Sequence, residues 1–199
     1  MNNFIKTYRR WSENKYFETV KVIVISLAII IPIRTYLVEP FYVKGTSMEN
    51  NFFSYDYLSI NKLEYRLNQP ERGDVVVAKF AVNKPYVIKR VIGLPNEKIE
   101  LDGKKVYITP PNGEKTLLIE NYLSEDNLKN DHLTFDLGDD QYLIMGDNRR
   151  VSYDSRQQGP ISQDHIKGKL LFNIVNFAPL AEIYHKIIPY PDYTLTSNY

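Results

Sequence analysis

Residues 86–95 read Tyr86-Val87-Ile88-Lys89-Arg90-Val91-Ile92-Gly93-Leu94-Pro95. The run is β-branched and apolar on both sides of its two charges, which predicts a strand. A strand alternates its side chains, so Lys89 lies on the same face as Val87 and Val91. Working outward, short alternating or apolar runs at 41–43, 57–60, 75–80 and 142–145 also read as strands. Asp102-Gly103, set between Ile99 and Val106, is a two-residue hairpin signal. Pro110, Pro111, Asn112 and Gly113 mark a further turn. No stretch beyond the N-terminal region has helical periodicity, so the body is expected to be mainly β. A smaller, looser β-rich insertion is expected at about 103–138, because the pattern weakens there and runs polar over 124–131.

The chain has 199 residues, 43% of them hydrophobic and 13% aromatic, enough for a packed core and unlike a disordered or fibrous chain. Its 25 basic and 24 acidic residues remove the electrostatic case for a dedicated nucleic-acid binder. Cysteine is absent, which excludes disulfides, thiolate catalysis and Cys-ligated zinc. The balanced charge hides an asymmetry. Lys6, Arg9, Arg10, Lys15 and Lys21 face only Glu13 and Glu18 in the first 21 residues, a net +3, leaving −2 for the rest.

Residues 22–33 then read VIVISLAIIIPI, with no charge. Three readings compete: a signal-peptide core, a buried helix or a retained anchor. A cleaved signal ends in small residues at alternate positions, and Ile31-Pro32-Ile33-Arg34 offers none. A buried helix leaves the one-sided basic cluster unexplained. Counted from Phe17 to Val38 the segment is long enough to span a bilayer, with Lys21 and Arg34 reaching the headgroups. The expected layout is therefore a cytoplasmic N-terminus at 1–16, a transmembrane anchor at 17–38 and an outer domain at 39–199.

The chemistry starts by elimination. His132, His165 and His185 stand singly, no His-Glu-x-x-His pair or Gly-x-Ser-x-Gly elbow occurs, and there is no phosphate loop. Isolated histidines are most often structural. Serine with another base remains. Gly45-Thr46-Ser47-Met48 follows the apolar segment closely, although a turn is the plainer reading of that tetrapeptide. Lys89 would stand among apolar neighbours, and burial lowers a lysine pKa. Neutrality near pH 7 requires about 4.6 kcal/mol of destabilisation of the charged form, within the documented range. A neutral lysine can take a proton from a serine hydroxyl. The alternative is that Lys89 decorates a half-exposed strand. The densest cluster is Gly146-Asp147-Asn148-Arg149-Arg150-Val151-Ser152-Tyr153-Asp154-Ser155-Arg156, where Asp154 can pair with Arg156 or Arg149 and Ser152 could orient a lysine amine.

Together and in this order, Ser47-Met48, the 89–95 run and the 146–156 run resemble the sequence boxes of bacterial type I signal peptidases, from the anchor to about Pro179. The resemblance implies a fold of coiled antiparallel sheets. It also implies Ser47 as nucleophile, Lys89 as general base, Ser152 as the holder of the lysine amine, and Asp147, Arg149, Asp154 and Arg156 as supports. Small residues, typically alanine, are implied at the first and third positions before the cut. Met48, Phe41, Val43 and Tyr42 are the candidate linings of shallow apolar pockets, by proximity. The implied reaction is Ser-Lys endopeptidase cleavage of signal peptides from secreted preproteins, at the outer face of the bacterial cytoplasmic membrane. The partners are then preprotein signal peptides and the lipid bilayer, with no nucleic acid, no metal and no cofactor.

This chain departs from the family pattern Ser-Met-x-Pro-Thr-Leu, reading Ser47-Met48-Glu49-Asn50-Asn51-Phe52, and shows Tyr55-Asp56 where Gly-Asp is usual. Gly45 stands where some members carry an oxyanion-binding serine, so backbone amides including that of Ser47 are expected to carry that task. Phe177-Ala178-Pro179-Leu180 is only loosely similar to the family's Trp-Pro segment. Two rivals remain. A self-cleaving Ser-Lys repressor should carry a DNA-binding helical domain, and a catalytically dead tethered protein should lack Ser47 or Lys89.

Overall fold

The computed structural model describes residues 15–32 and 38–175. Residues 1–14, 33–37 and 176–199, including His185 and the 177–180 segment, lie outside the described residues. The chain divides into two compact units, Met1–Glu39 and Pro40–Tyr199.

In the first unit a helix, α1, covers Lys15–Pro32. Its apolar side chains, among them Val22, Ile23, Ile25, Leu27 and Ile30, are exposed. Lys15, Glu18 and Lys21 occupy its first two turns, and Lys21 Nζ bonds Glu18 at 2.9 Å. At 1.5 Å per residue the uncharged part from Val22 onward spans about 16 Å, against about 30 Å of bilayer hydrocarbon. No helix among the described residues is long and apolar enough to cross a membrane. The described helix runs to Pro32, and the next described residue, Val38, opens a strand.

The strands form two antiparallel sheets. The larger has six strands: β1 (Val38–Tyr42), β2 (Tyr57–Asn61), β3 (Val75–Ala78), β4 (Val87–Gly93), β9 (Leu143–Met145) and β10 (Ile166–Val175). Their order is β1-β2-β10-β3-β4-β9. Every residue of β3, a Val-Val-Val-Ala run, is buried, as befits a strand covered on both faces. Two registers place the site. Lys89 sits opposite Val76, and Arg90 opposite Met145. The second register delivers Gly146 and Asp147, which leave the end of β9, to the flank of Arg90.

The smaller sheet holds β5 (Lys98–Gly103), β6 (Lys105–Thr109), β7 (Thr116–Leu117) and β8 (Asp131–Asp136), in the order β7-β6-β5-β8. The hairpin forms one residue later than its sequence signal. Asp102 pairs with Lys105, and Gly103 takes the left-handed conformation, φ 62°, that a tight loop requires. Where a looser insertion is expected, the strands are regular and one face is packed. Ile99, Leu101, Val106, Ile108 and Leu137 form a core cluster with Ile92, Leu143 and Met145 of the larger sheet. Lys98, Glu100 and Lys115 ion-pair on the opposite face of this sheet. Two short helices complete the fold, α2 (Glu64–Leu67) and α3 (Ser155–Gln158).

Tyr55 shows why glycine is usual at its position. It adopts φ 79°, a left-handed conformation that costs an L-residue roughly 1–2 kcal/mol. Its backbone N–H bonds Val43 O at 3.0 Å, and its ring packs 5.7 Å from that of Tyr42. Tyr55→Gly removes the strain together with the ring, whereas Tyr55→Ala removes only the ring. Urea unfolding is expected to find the glycine variant about 1 kcal/mol more stable than the alanine variant. Equal stabilities would refute the strain.

Candidate active site

The stretch from Gly45 to Asn51, between β1 and β2, is a series of tight turns pinned at several points. Gly45 has φ 95°, and a side chain built on it would meet no atom within 4 Å. Its N–H donates to Ser54 Oγ at 2.9 Å, and that hydroxyl donates back to Gly45 O at 3.0 Å. Met48 is buried at 1% exposure in a cluster with Val43, Leu58, Val75 and Ile88. The Ser47 carbonyl accepts the N–H of Asn148 at 2.9 Å. The serine side chain is thereby fixed on a rigid base and half-exposed.

Lys89 reaches the same point from β4. Its Nζ donates to Ser47 Oγ at 2.6 Å, and the residue is only 2% exposed. Burial pushes its pKa down to about 8, while the Asp154 and Asp147 carboxylates, acting through space, oppose that shift and Arg156 assists it. The lysine therefore reaches neutrality far more easily than an exposed one.

The 146–156 run forms a polar frame around this pair. A side chain on Gly146 would collide with Ser152 and stand 2.5 Å from Ser47 O, so only glycine lets this backbone approach. The N–H groups leaving β9 are met by side chains: Ile144 N donates to Ser155 Oγ and Gly146 N to Asp154 Oδ2, both at 3.0 Å. Asp154 also caps α3 in a reciprocal box with Gln157. Arg156 grips Asp154 in a bidentate pair at 2.8 and 2.9 Å and extends to Asp131 at 2.7 Å. Burial would raise the Asp154 carboxyl, but Arg156 and the Gly146 N–H hold it below its ordinary value. Arg90 clasps Asp147 with bonds of 2.9 and 2.6 Å.

The expected residues meet with differences. Ser47, Lys89, Asp147, Asp154 and Arg156 form one connected neighbourhood. Ser152 is 5% exposed and lies against Gly146, yet its hydroxyl makes no well-formed hydrogen bond. It stands near enough to Asp154 to help hold that carboxyl down, but it does not grip the lysine amine. Arg149 does not pair with Asp154. Its Nε donates to Gly146 O at 2.9 Å and its Nη atoms to Glu120. Of the expected pocket linings, Phe41 and Tyr42 are half-buried, whereas Val43 and Met48 are sealed at 1% exposure by the packed sheet. His132 lies beside Asp102 and His165 bonds Ser162; neither is a partner of Ser47. Among the described residues no group of His, Asp and Glu could hold a metal ion.

Several contributors carry no local signal. Glu120 is 29 residues from Arg149 in sequence. Arg90 Cζ stacks 4.0 Å from the Tyr122 ring, and Asn51 donates to Asp147 across 96 residues. Their roles follow from the register of β9 on β4 and from the segment after β7, which local patterns do not specify.

Residues 16–175 match the family model described as signal peptidase, peptidase S26. This chain belongs to that family. A probable signal peptidase I-2 of Synechocystis sp. is 36% identical over 177 residues, covering 86% of this chain and 77% of that protein. Signal peptidase I of Bacillus amyloliquefaciens is 34% identical over 84% of this chain and 89% of its own. Signal peptidase IB of Staphylococcus aureus is 33% identical over 89% of this chain and 97% of its own. A solved signal peptidase I structure from Enterococcus faecalis V583 aligns with a TM-score of 0.44 and 28% identity, over 52% of this chain and 98% of that one. The protein is accordingly a peptidase of the S26 family.

The Arg149–Glu120 pair is nearly sealed, with side chains 4% and 7% exposed. Removing one partner of such a pair leaves a buried charge without compensation. Glu120→Ala is expected to lower the unfolding free energy by about 3 kcal/mol in urea titrations. A loss below about 1 kcal/mol would show that the pair is not what holds the segment.

Proposed function

We propose that this peptidase removes signal peptides from secreted preproteins by a Ser47–Lys89 dyad. The observation that carries the reading is the 2.6 Å contact between a half-exposed serine hydroxyl and a buried lysine amine whose pKa is pushed down to about 8. The signal peptidase relatives supply the substrate class.

In the neutral state Lys89 Nζ accepts the Ser47 proton as Oγ bonds to the scissile carbonyl carbon, giving a tetrahedral oxyanion and an ammonium. The backbone N–H of Ser47 is the candidate donor to that oxyanion, and the open backbone at Gly45 lets the substrate carbonyl approach. Collapse breaks the carbon–nitrogen bond, and Lys89 passes its proton to the leaving amine, which departs with the mature chain. Lys89 is neutral again and takes a proton from the water that attacks the acyl-enzyme; returning that proton to Ser47 Oγ frees the signal peptide. Half-buried Phe41 offers apolar surface for the small residues before the cut.

The N-terminal helix belongs to the same proposal. Its exposed, uncharged and mostly apolar stretch from Val22, preceded by basic residues, is read as a tether that holds the peptidase at the outer face of the bacterial cytoplasmic membrane. Tethering would raise the effective concentration of a membrane-inserted signal helix. Full-length protein should sediment with membranes and resist carbonate extraction. Recovery in the soluble fraction would remove the tether from the account.

Cleavage of a preprotein carrying a consensus signal peptide tests the dyad. Ser47→Ala and Lys89→Ala should each lose at least about 10³-fold in rate. Wild-type kcat/KM should fall tenfold per unit as pH drops below about 8, because protonation removes the base. Wild-type inactivity, undiminished activity of either variant, or no acidic limb between pH 6 and about 8 would refute the dyad.

A further inference from the structure

The stretch that carries Ser47 ends where this chain departs from the family pattern, at Asn50-Asn51, and those side chains are engaged. Asn50 Nδ2 donates to Ser124 Oγ at 3.0 Å, on the exposed surface. Asn51 reaches further inward. Its Nδ2 donates one bond to Tyr122 O at 3.0 Å and a second to Asp147 Oδ2 at 2.7 Å. From the other side Asn127 Nδ2 donates to Glu49 O at 2.6 Å. The polar segment of residues 120–127 is thereby fastened along residues 49–51.

Asn51 differs from the other two in what it touches. Asp147 Oδ2 accepts both Asn51 and Arg90 Nη2, and Oδ1 accepts Arg90 Nε. Arg90 is the neighbour of Lys89 on β4 and also donates to Gly73 O at 2.9 Å. Asp147 precedes Asn148, whose N–H holds the Ser47 carbonyl. Asn51 itself closes the turn after Met48, its N–H donating to Met48 O at 3.0 Å. One amide group therefore ties the end of the nucleophile's turn to the carboxylate that joins the lysine's strand to the backbone holding the serine.

We propose that Asn51 is a positioning residue that sets Ser47 Oγ against Lys89 Nζ by clamping Asp147 to the turn after the nucleophile. A proline and threonine there would pre-form the turn through the backbone; here the Asn51 amide holds it from Tyr122 O and Asp147. Both asparagines are exposed, but both Nδ2 donors of Asn51 are in use, so alanine removes both ties, while Asn50 bonds the Ser124 hydroxyl, away from Asp147. The clamp serves the reacting pair and not the substrate, so its loss should appear in kcat and not in KM.

This inference rests on the proposed Ser-Lys peptidase activity. The test uses full-length protein in detergent and an internally quenched peptide spanning a cleavage site with alanine at the first and third positions before the cut. Asn51→Ala should lower kcat about tenfold or more with KM within about twofold, while Asn50→Ala leaves both within about twofold. Thermal unfolding of each variant, read beside the kinetics, separates positioning from stability. An unchanged kcat in Asn51→Ala overturns the proposal, as does an equal loss in Asn50→Ala. A loss that disappears on cooling below a lowered unfolding midpoint also overturns it, since the role is then structural only. Inactive wild type sinks the peptidase reading, and this inference with it. Active wild type with an unaffected Asn51→Ala sinks the inference alone.

Discussion

The larger sheet and the 146–156 run are arranged around one unfavourable fact, the burial of the Lys89 amine at 2% exposure. A lysine whose pKa falls to about 8 carries a penalty of about 3 kcal/mol against its unfolded state near neutral pH. The sign is set by proton counting. Between about 8 and the ordinary value of 10.5 the unfolded chain binds the lysine proton and the folded one does not, so this group's contribution makes the fold more stable as pH rises through that window. Below about 8 the folded protein must hold the buried charge, and Asp154 and Asp147 reduce that penalty without touching the amine. A carboxylate bonded directly to it would hold it charged and remove its value as a base. The ion pairs around the site act at one remove: Arg156 occupies Asp154, and Arg90 occupies Asp147.

The two sheets supply the rigidity that such a site requires. Lys89 is held in a strand covered on both faces, with Ile88, Val91 and Ile92 in three separate core clusters. Ser47 rests on Met48, which is sunk in one of those clusters. The 146–156 run ties the two together because it replaces strand pairing by side-chain bonds at the end of β9. The smaller sheet contributes through the segment that follows β7, where Glu120, Tyr122 and Asn127 reach Arg149, Arg90 and the turn after Ser47. Removing that segment would leave Arg149, 4% exposed, without its partner.

Much of this was legible in the sequence, for identifiable reasons. Strands β3 and β4 announce themselves by β-branched runs, β2 by the alternation of Leu58 and Ile60 with polar neighbours, and the β5–β6 hairpin by Asp102-Gly103. The Asp154–Arg156 pair is local, two residues apart, and could be read directly. Strand β10 could not: Ile166–Val175 contains Gly168 and two lysines, and its character comes from filling the gap between β2 and β3. Strand β8 is likewise mostly exposed, and Asp131, His132 and Asp136 break its pattern. Its place is set by pairing with β5. The roles of Glu120, Tyr122 and Asn51 were invisible because each depends on partners dozens of residues away. The expected Ser152–Lys89 bond is absent because Gly146 brings Ser152 against the backbone while Lys89 turns to Ser47. The N-terminal helix was legible from its uncharged run, and it holds over the whole described stretch Lys15–Pro32.

The titration of Lys89 itself is the most direct test. Protein carrying ¹³C-labelled lysine, with Lys89→Arg to assign the resonance, would be followed by NMR from pH 6 to 11. One lysine should titrate near pH 8, well apart from the others. If the Lys89 resonance titrates with the surface lysines near 10.5, the amine is charged when Ser47 needs a base, and the dyad as described here cannot operate.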